Sequence, residues 1–136
     1  RKDRNLLGPA VDELLRFDSP VQIDRRTALE DVVIGGKTIK QGQPLLLLLG
    51  AANRDPEQFA NPDYLNFDRD QTSHIAFGRG IHHCLGAPLA RVEAMIAFEV
   101  LLDRYEKIEL HGKRPKFKDH AVLRGMYEMP LQLGAK

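Results

Sequence analysis

With one cysteine, no tryptophan and 7% aromatic residues, the 136-residue chain lacks two common means of holding a small protein together. A lone Cys84 excludes an internal disulfide framework and a C-x-x-C pair, and it fits a reducing compartment. Charge of one sign is not in excess. There are 20 Lys and Arg against 19 Asp and Glu, for a formal charge of +1. That balance supplies no strong field for nucleic acid or an anionic membrane surface. Long apolar runs are scarce too. The longest, Pro44 to Ala52, falls short of half a membrane span. The basic start Arg1-Lys2-Asp3-Arg4 is not followed by the apolar core of a signal peptide. The expectations are no membrane anchor in this segment, no nucleic-acid partner and a cytoplasmic location. The first residue is not Met, so the chain is expected to be part of a longer protein.

What is present is globular. A hydrophobic share of 43%, a charged share of 29%, 11 Gly and 8 Pro exclude wholesale disorder, collagen and coiled coil. Leu7, Ala10, Val11, Leu14 and Leu15 repeat with helical spacing, and Asp18-Ser19-Pro20 ends that helix. Val32-Val33-Ile34 and Lys37-Thr38-Ile39 flank Gly35-Gly36, which predicts a hairpin. Pro44 to Leu49 reads as a buried strand. The stretch from Asn53 to Ser73 is polar and rich in turn residues, among them Asp70, and predicts a long functional or wrapping loop. A second helix is predicted from Ala87 to Tyr105. It is apolar nearly all round from Ala94 to Leu102, and so is expected to be buried on most sides. Short strands are predicted at Ile108–Leu110, Ala121–Leu123 and Leu131–Leu133. The class expected is α+β: two main helices, short strands and one long loop.

Cys84 is the centre of the chemistry. It precedes the second helix, where N–H groups and the helix dipole favour an anion. A thiolate there is a soft ligand suited to iron or zinc. The alternative is a small buried apolar residue, the ordinary lot of an isolated Cys. The neighbours favour the ligand. Gly80 and Gly86 let the backbone approach a flat group, Phe77 is placed to cover the sulfur, and His82 and Arg79 donate to anions. A zinc site from His74, His82, His83 and Cys84 is a weaker reading. Adjacent residues do not easily all turn to one tetrahedral ion, and no C-x-x-C partner exists.

Phe77-Gly78-Arg79-Gly80-Ile81-His82-His83-Cys84-Leu85-Gly86 resembles the heme-binding loop of the heme-thiolate monooxygenases, the cytochrome P-450 family. The family pattern F-x-x-G-x-x-x-C-x-G is filled at Phe77, Gly80, Cys84 and Gly86. It runs on into Ala87-Pro88-Leu89-Ala90-Arg91, as in the bacterial soluble branch. Glu13-Leu14-Leu15-Arg16 matches the family's E-x-x-R. On a helical wheel the pair lies opposite the Leu7/Val11/Leu14 stripe, where a solvated surface pair would lie. The resemblance implies instead a buried structural network. Its third member, usually Arg or His, falls by position on Tyr64. Arg26, in Arg25-Arg26-Thr27-Ala28-Leu29-Glu30-Asp31, matches a propionate partner, and His82 matches another. His74 and Arg79 are placed near the propionates as well. Ala51-Ala52-Asn53-Arg54-Asp55-Pro56 matches a structural stretch. Val21, Gln22, Ile23 and Val122 match segments that line the family's substrate pocket, though ordinary strand core reads the same way.

The resemblance implies heme b (iron protoporphyrin IX) as cofactor, with Cys84 as axial ligand and catalytic residue. It implies Arg26, Phe77, Gly78, His82, Cys84 and Gly86 as cofactor contacts. It implies an apolar small-molecule substrate, O2, and a ferredoxin or flavoprotein electron donor. The resemblance spans the whole chain, but only the C-terminal third of a normal family member. The family's long central helix, with its oxygen-activating acid and threonine, has no counterpart. The expected function is therefore the heme-binding part of a monooxygenase, with a truncated heme-binding remnant without turnover as the alternative.

Overall fold

The structure is a computed structural model that describes residues 3–69, 73–112 and 114–135. Arg1, Lys2 and Asp70, named above, lie outside the described residues. Helix α1 runs Leu7–Phe17, two residues beyond the apolar repeat. It stops where Asp18 N–H donates to Leu14 O at 3.0 Å and the Ser19 hydroxyl donates to Leu15 O at 2.9 Å. Four strands follow: β1 (Asp24–Thr27), β2 (Val32–Ile34), β3 (Lys37–Ile39) and β4 (Pro44–Leu47). The β2–β3 hairpin forms as the sequence predicts. Gly35 and Gly36 sit at φ 56° and 73°, the left-handed region that such a two-residue turn demands. Strand β1 pairs antiparallel with β4, Arg26 opposite Leu45.

The leucine run departs from expectation. It leaves the strand at Leu47, and Leu49–Ala52 forms the short helix α2. Leu49 is buried, but Leu46 is 65% exposed. Its sheet has only two strands, and no described layer covers that side. The polar loop then meanders with turns and one short 3-10 turn at Gly80–His82. Helix α3 spans Ala87–Arg104, with Pro88 in its first turn. Tyr105 opens strand β5 (Tyr105–Leu110), so helix passes directly into strand.

Three further strands follow: β6 (Lys116–Phe117), β7 (Met126–Glu128) and β8 (Leu131–Ala135). Strand β5 pairs with β8, and β6 with β7. The β6–β7 pair was not foreseen in the sequence. The strand expected at Ala121–Leu123 is instead a bend whose ladder pairing is the isolated Val21–Leu123 bridge. His120 explains it. Its Nδ1 accepts from the N–H groups of Val122 and Leu123, which a strand would give to a neighbour.

Helices α1 and α3 pack against each other, closely enough that a Cβ on Gly8 would lie 3.8 Å from Met95 Sδ. The burial expected for α3 is not met. Leu89, Val92, Phe98 and Val100 are exposed, and Ile96 is 54% exposed. Among the described elements α1 is the one helix that packs on it, so most of its circumference is left open. An apolar surface of this kind promotes association. The 136-residue chain alone should therefore self-associate, and Ile96→Glu with Val92→Lys should reduce it. Sedimentation velocity over a concentration series checks this; a monodisperse monomer throughout would show that the exposed α3 face is not adhesive.

Candidate functional site

The loop before α3 is shaped by its own backbone. Cys84 N–H donates to Phe77 O at 2.8 Å, Gly78 N–H to Ile75 O at 2.9 Å, and His83 N–H to Gly80 O at 3.0 Å. Gly78 and Gly80 hold φ of 71° and 66°. A Cβ on Gly78 would stand 3.1 Å from His82 O, so the close turn itself calls for glycine there. A Cβ on Gly86 would meet Cys84 Sγ at 3.8 Å, an ordinary contact. Cys84 lies three residues before α3, and its carbonyl, not its sulfur, takes the Ala87 N–H at 3.2 Å. The thiol is free and exposed, as are its apolar neighbours Ile81 and Leu85.

Cys84 lines an open cavity of about 370 Å³ with Phe77, Gly78, His82, Asp24 and Val21. Its wall is mostly apolar, and its polar side is built from β1. Residues 24 and 26 share the more sheltered face of that strand, while Arg25 points to solvent. Arg26 Nη1 donates to Asp24 Oδ2 at 2.6 Å and to Arg25 O at 2.8 Å. The Asp24 carboxyl is held below its ordinary value, first by the Arg25 N–H, then by Arg26, with a contribution from the charge of His82. Asp24 and His82 thus line the Cys84 cavity, and Arg26 is tied to that wall through its ion pair with Asp24, a neighbour the sequence does not reveal. Among the described residues, no three His, Cys, Asp or Glu side chains group as metal-ion ligands.

The E-x-x-R pair is buried, not solvated. Glu13 is 5% exposed and Arg16 1%. The wheel placed them away from the apolar stripe correctly, but the polar loop folds over that face. Arg16 Nε and Nη2 donate to the two Glu13 oxygens at 2.7 and 2.8 Å. Its remaining donors reach the carbonyls of Asn53, Pro62 and Tyr64. The third member is Arg69, whose Nε reaches Glu13 Oε2 at 3.1 Å. This corrects the placement on Tyr64. Tyr64 contributes only its carbonyl, and its side chain is exposed. Burial alone would push the Glu13 carboxyl up. Hydrogen bonds from Arg16 and the Asn66 N–H, with the charges of Arg16 and Arg69, outweigh it and hold the group below its ordinary value.

The substrate-pocket residues divide. Val21 faces the Cys84 cavity, whereas Gln22 and Ile23 line a separate one of about 350 Å³ with Phe117 and His120. Gln22 N–H donates to Val122 O at 2.8 Å, so the two segments do meet. His74 does not reach the mouth of the cavity; its Nε2 lies 3.1 Å from Asp12 Oδ1. Asn53 is a residue whose role the sequence does not reveal. It is fully buried, takes the Ile75 N–H on its Oδ1, and donates to the Ser19 hydroxyl. Its signal in the sequence is its place in the Ala51-Ala52-Asn53-Arg54-Asp55-Pro56 stretch that the family resemblance marks as structural.

The sequence model of the family described as Cytochrome P450 matches residues 1–133. The chain belongs to the cytochrome P450 family. The biotin biosynthesis cytochrome P450 of Bacillus subtilis (strain 168) is 44% identical over 131 residues, 96% of this chain and 33% of that protein. The crystal structure of P450BioI in complex with hexadec-9Z-enoic acid ligated acyl carrier protein superposes with a TM-score of 0.93. Its identity is 43%, over 97% of this chain and 34% of that one. The structure of CYP109E1 from Bacillus megaterium in complex with corticosterone gives a TM-score of 0.95 at 38% identity, covering 98% and 36%. The chain thus spans about a third of the length of the P450 relatives it matches. Those P450 relatives are monooxygenases, heme is the family's cofactor, and among the described residues no helix is long and apolar enough to cross a membrane.

The Glu13 network yields a stability prediction. Glu13→Gln leaves two guanidiniums facing a neutral amide in a buried setting, which should cost about 3–5 kcal/mol. Because the folded-state carboxyl is held below its ordinary value, its contribution is complete above that ordinary value and fades as pH falls through the lowered one. Urea unfolding of parent and variant should therefore differ most near neutrality and converge in acid. A gap that stays constant with pH would show that the carboxylate charge is not what holds the loop.

Proposed function

We propose that Cys84 is the axial ligand of heme b, and that this chain is the C-terminal heme-binding part of a P450 that inserts one oxygen atom of O2 into an apolar small molecule. The observation that carries the proposal is the free Cys84 thiol on the wall of an apolar cavity that His82 and Asp24 also line, Asp24 being paired with Arg26. The donor set fits the group. A soft sulfur would hold the iron, Phe77 and Val21 would offer apolar surface to the ring, and Arg26 and His82 would take its carboxylates. A thiolate-bound heme supplies the electron push that favours O–O cleavage.

The residues of this chain perform the rest. Gly78 and Gly80 bend the backbone so that Cys84 projects from the loop. Phe77 shelters the sulfur side, Gly86 leaves room beside it, and Arg26 and His82 orient the propionates. Glu13 and Arg16 hold the loop in place without touching cofactor. Val21, Gln22, Ile23 and Val122 border the substrate space; Val21 lines the Cys84 cavity and lies nearest the reaction, while Gln22 and Ile23 line the second cavity and Val122 O takes the Gln22 N–H. The proposal includes a ferredoxin or flavoprotein electron donor and a cytoplasmic setting. The apolar substrate class draws on the fatty-acyl and steroid ligands of the two neighbours named above.

A second reading, a heme-binding remnant without turnover, is favoured by the openness of the site. Cys84, Ile81 and Leu85 are all exposed, and the described residues build one side of a cavity. Oxygen consumption coupled to product separates the two readings.

Cys84→Ser should abolish the thiolate-type carbonyl spectrum even where some heme is retained, because a hydroxyl is a far poorer donor to iron. Persistence of that spectrum would remove Cys84 as the ligand. Arg26→Leu should speed heme release severalfold more than Arg25→Leu, since only Arg26 shares the sheltered face of β1 with Asp24. Equal release rates, followed by heme transfer to an excess of apomyoglobin, would mean that the other arginine or neither one binds the propionates.

A further inference from the structure

Asp12 stands next to Glu13 on α1 but takes no part in its network. Its Oδ1 accepts from Arg91 Nε, on α3, at 2.7 Å and faces His74 Nε2, in the loop, at 3.1 Å. The other ring nitrogen of His74 accepts the Ala76 N–H at 3.2 Å. That bond fixes the tautomer, so Nε2 carries the proton and donates to Asp12. The His74 side chain is 2% exposed. Asp12 is thereby held from both sides, and it holds Arg91 in turn.

The held guanidinium does not point to solvent alone. Its carbon lies 4.8 Å from the centroid of the Phe77 ring, within cation–π range. Phe77 lines the Cys84 cavity, and its carbonyl accepts the Cys84 N–H at 2.8 Å. A simple tie between α1 and α3 would need the Asp12–Arg91 pair and nothing else. Here the pair is oriented by a buried histidine and ends on an aromatic residue that lines the same cavity as the thiol.

We propose that Arg91, oriented by Asp12 and His74, is a positioning residue that fixes the Phe77 ring beside the Cys84 sulfur and so keeps water from it. The proposal rests on Cys84 being the heme ligand. A ring clamped on one face by a guanidinium loses the freedom to swing out of the cavity. Removing the clamp lets the ring move and admits water to the iron–sulfur bond, whose donation to iron weakens as water hydrogen-bonds to sulfur. The role is exercised through Phe77, so it depends on a flat cation at position 91 and on the orientation Asp12 gives it.

The test uses the heme-loaded complete protein and follows how long the reduced carbonyl complex keeps its thiolate-type spectrum. Arg91→Leu should shorten that lifetime severalfold, Asp12→Asn should shorten it less, and the double variant should be no worse than Arg91→Leu alone. Arg91→Lys keeps the charge and should recover part of the lifetime. Arg54→Leu serves as the structural control. Arg54 makes a closer stack on Phe17, 3.8 Å from the ring centroid, at a distance in sequence from the cysteine loop. It should lower the melting temperature but leave the lifetime unchanged. A lifetime in Arg91→Leu equal to the parent's, or one shortened only in proportion to the melting temperature as with Arg54→Leu, overturns the proposal. If Arg91→Leu does not load heme, Asp12→Asn and Arg91→Lys decide by the same criterion. A parent without any thiolate-type spectrum would instead overturn the assignment of Cys84, which is a different result.

Discussion

The buried Glu13 carboxylate, with two guanidiniums on it, is the constraint on which the rest of the chain depends. One negative and two positive charges leave a surplus cation in a sheltered place, and a buried charge is costly unless its hydrogen bonds are filled. The loop fills them. Arg16 has five N–H donors, and they find the two Glu13 oxygens and the carbonyls of Asn53, Pro62 and Tyr64. Arg69 adds the carbonyl of Ala60. A segment with little regular structure of its own has to place its carbonyls somewhere. Here it places them on arginine, and the path of the meander is set by that requirement rather than by a sheet or helix. The departure at position 64 follows from the same geometry. A carbonyl is all the network takes from that residue, so a tyrosine serves with its ring outside.

Two neighbouring acids on α1 then divide the work. Successive helical residues lie about 100° apart, so Asp12 and Glu13 face different partners. Glu13 fixes the early part of the loop. Asp12 reaches its end through His74 and α3 through Arg91. Asn53 bridges the two regions, since its carbonyl serves Arg16 while its side chain holds Ile75, two residues before Phe77. The position of Cys84 is thus determined at both ends of its loop by contacts that begin on one turn of α1.

The sequence revealed what is local. Apolar spacing located α1, two glycines located the β2–β3 turn, and the pattern from Phe77 to Gly86 located the thiol. Arg26 is singled out from Arg25 by its position in the family resemblance, and β1 puts the two on a sheltered and an exposed face. What stayed hidden required three dimensions. Arg69 is 56 residues from Glu13, and no pattern of residue types pairs them in advance. The His120 side chain removes the N–H groups that a strand at Ala121–Leu123 would have needed. The leucine run misled because uniform apolarity cannot say where a strand ends, and α3 misled because apolar residues all round promise burial only when something is there to bury them.

That last point bears on how the molecule is stabilised. Among the described residues the buried apolar set is small: Val11, Ala28, Leu49, Phe59, Ala76 and Ala87. The largest side chains that are fully buried are Arg16, Asn53 and Ser19, all polar. A chain of this length that folded by itself would ordinarily hide far more apolar surface. Here the order is polar and interior, while the apolar faces of α3, of β4 and of the loop around Cys84 are turned outward. Such a distribution suits a segment whose polar network shapes it and whose apolar surface is left to meet other groups. Around Cys84 the outward residues are Ile81 and Leu85, which flank the thiol and are 97% and 98% exposed. Water gains nothing from that pair, whereas a flat apolar ring laid over the sulfur, or an apolar protein surface meeting the loop's other side, removes them from it. If Cys84 is the heme ligand as proposed, the same loop would offer both that ligand and the hydrophobic contact that holds the ring in place.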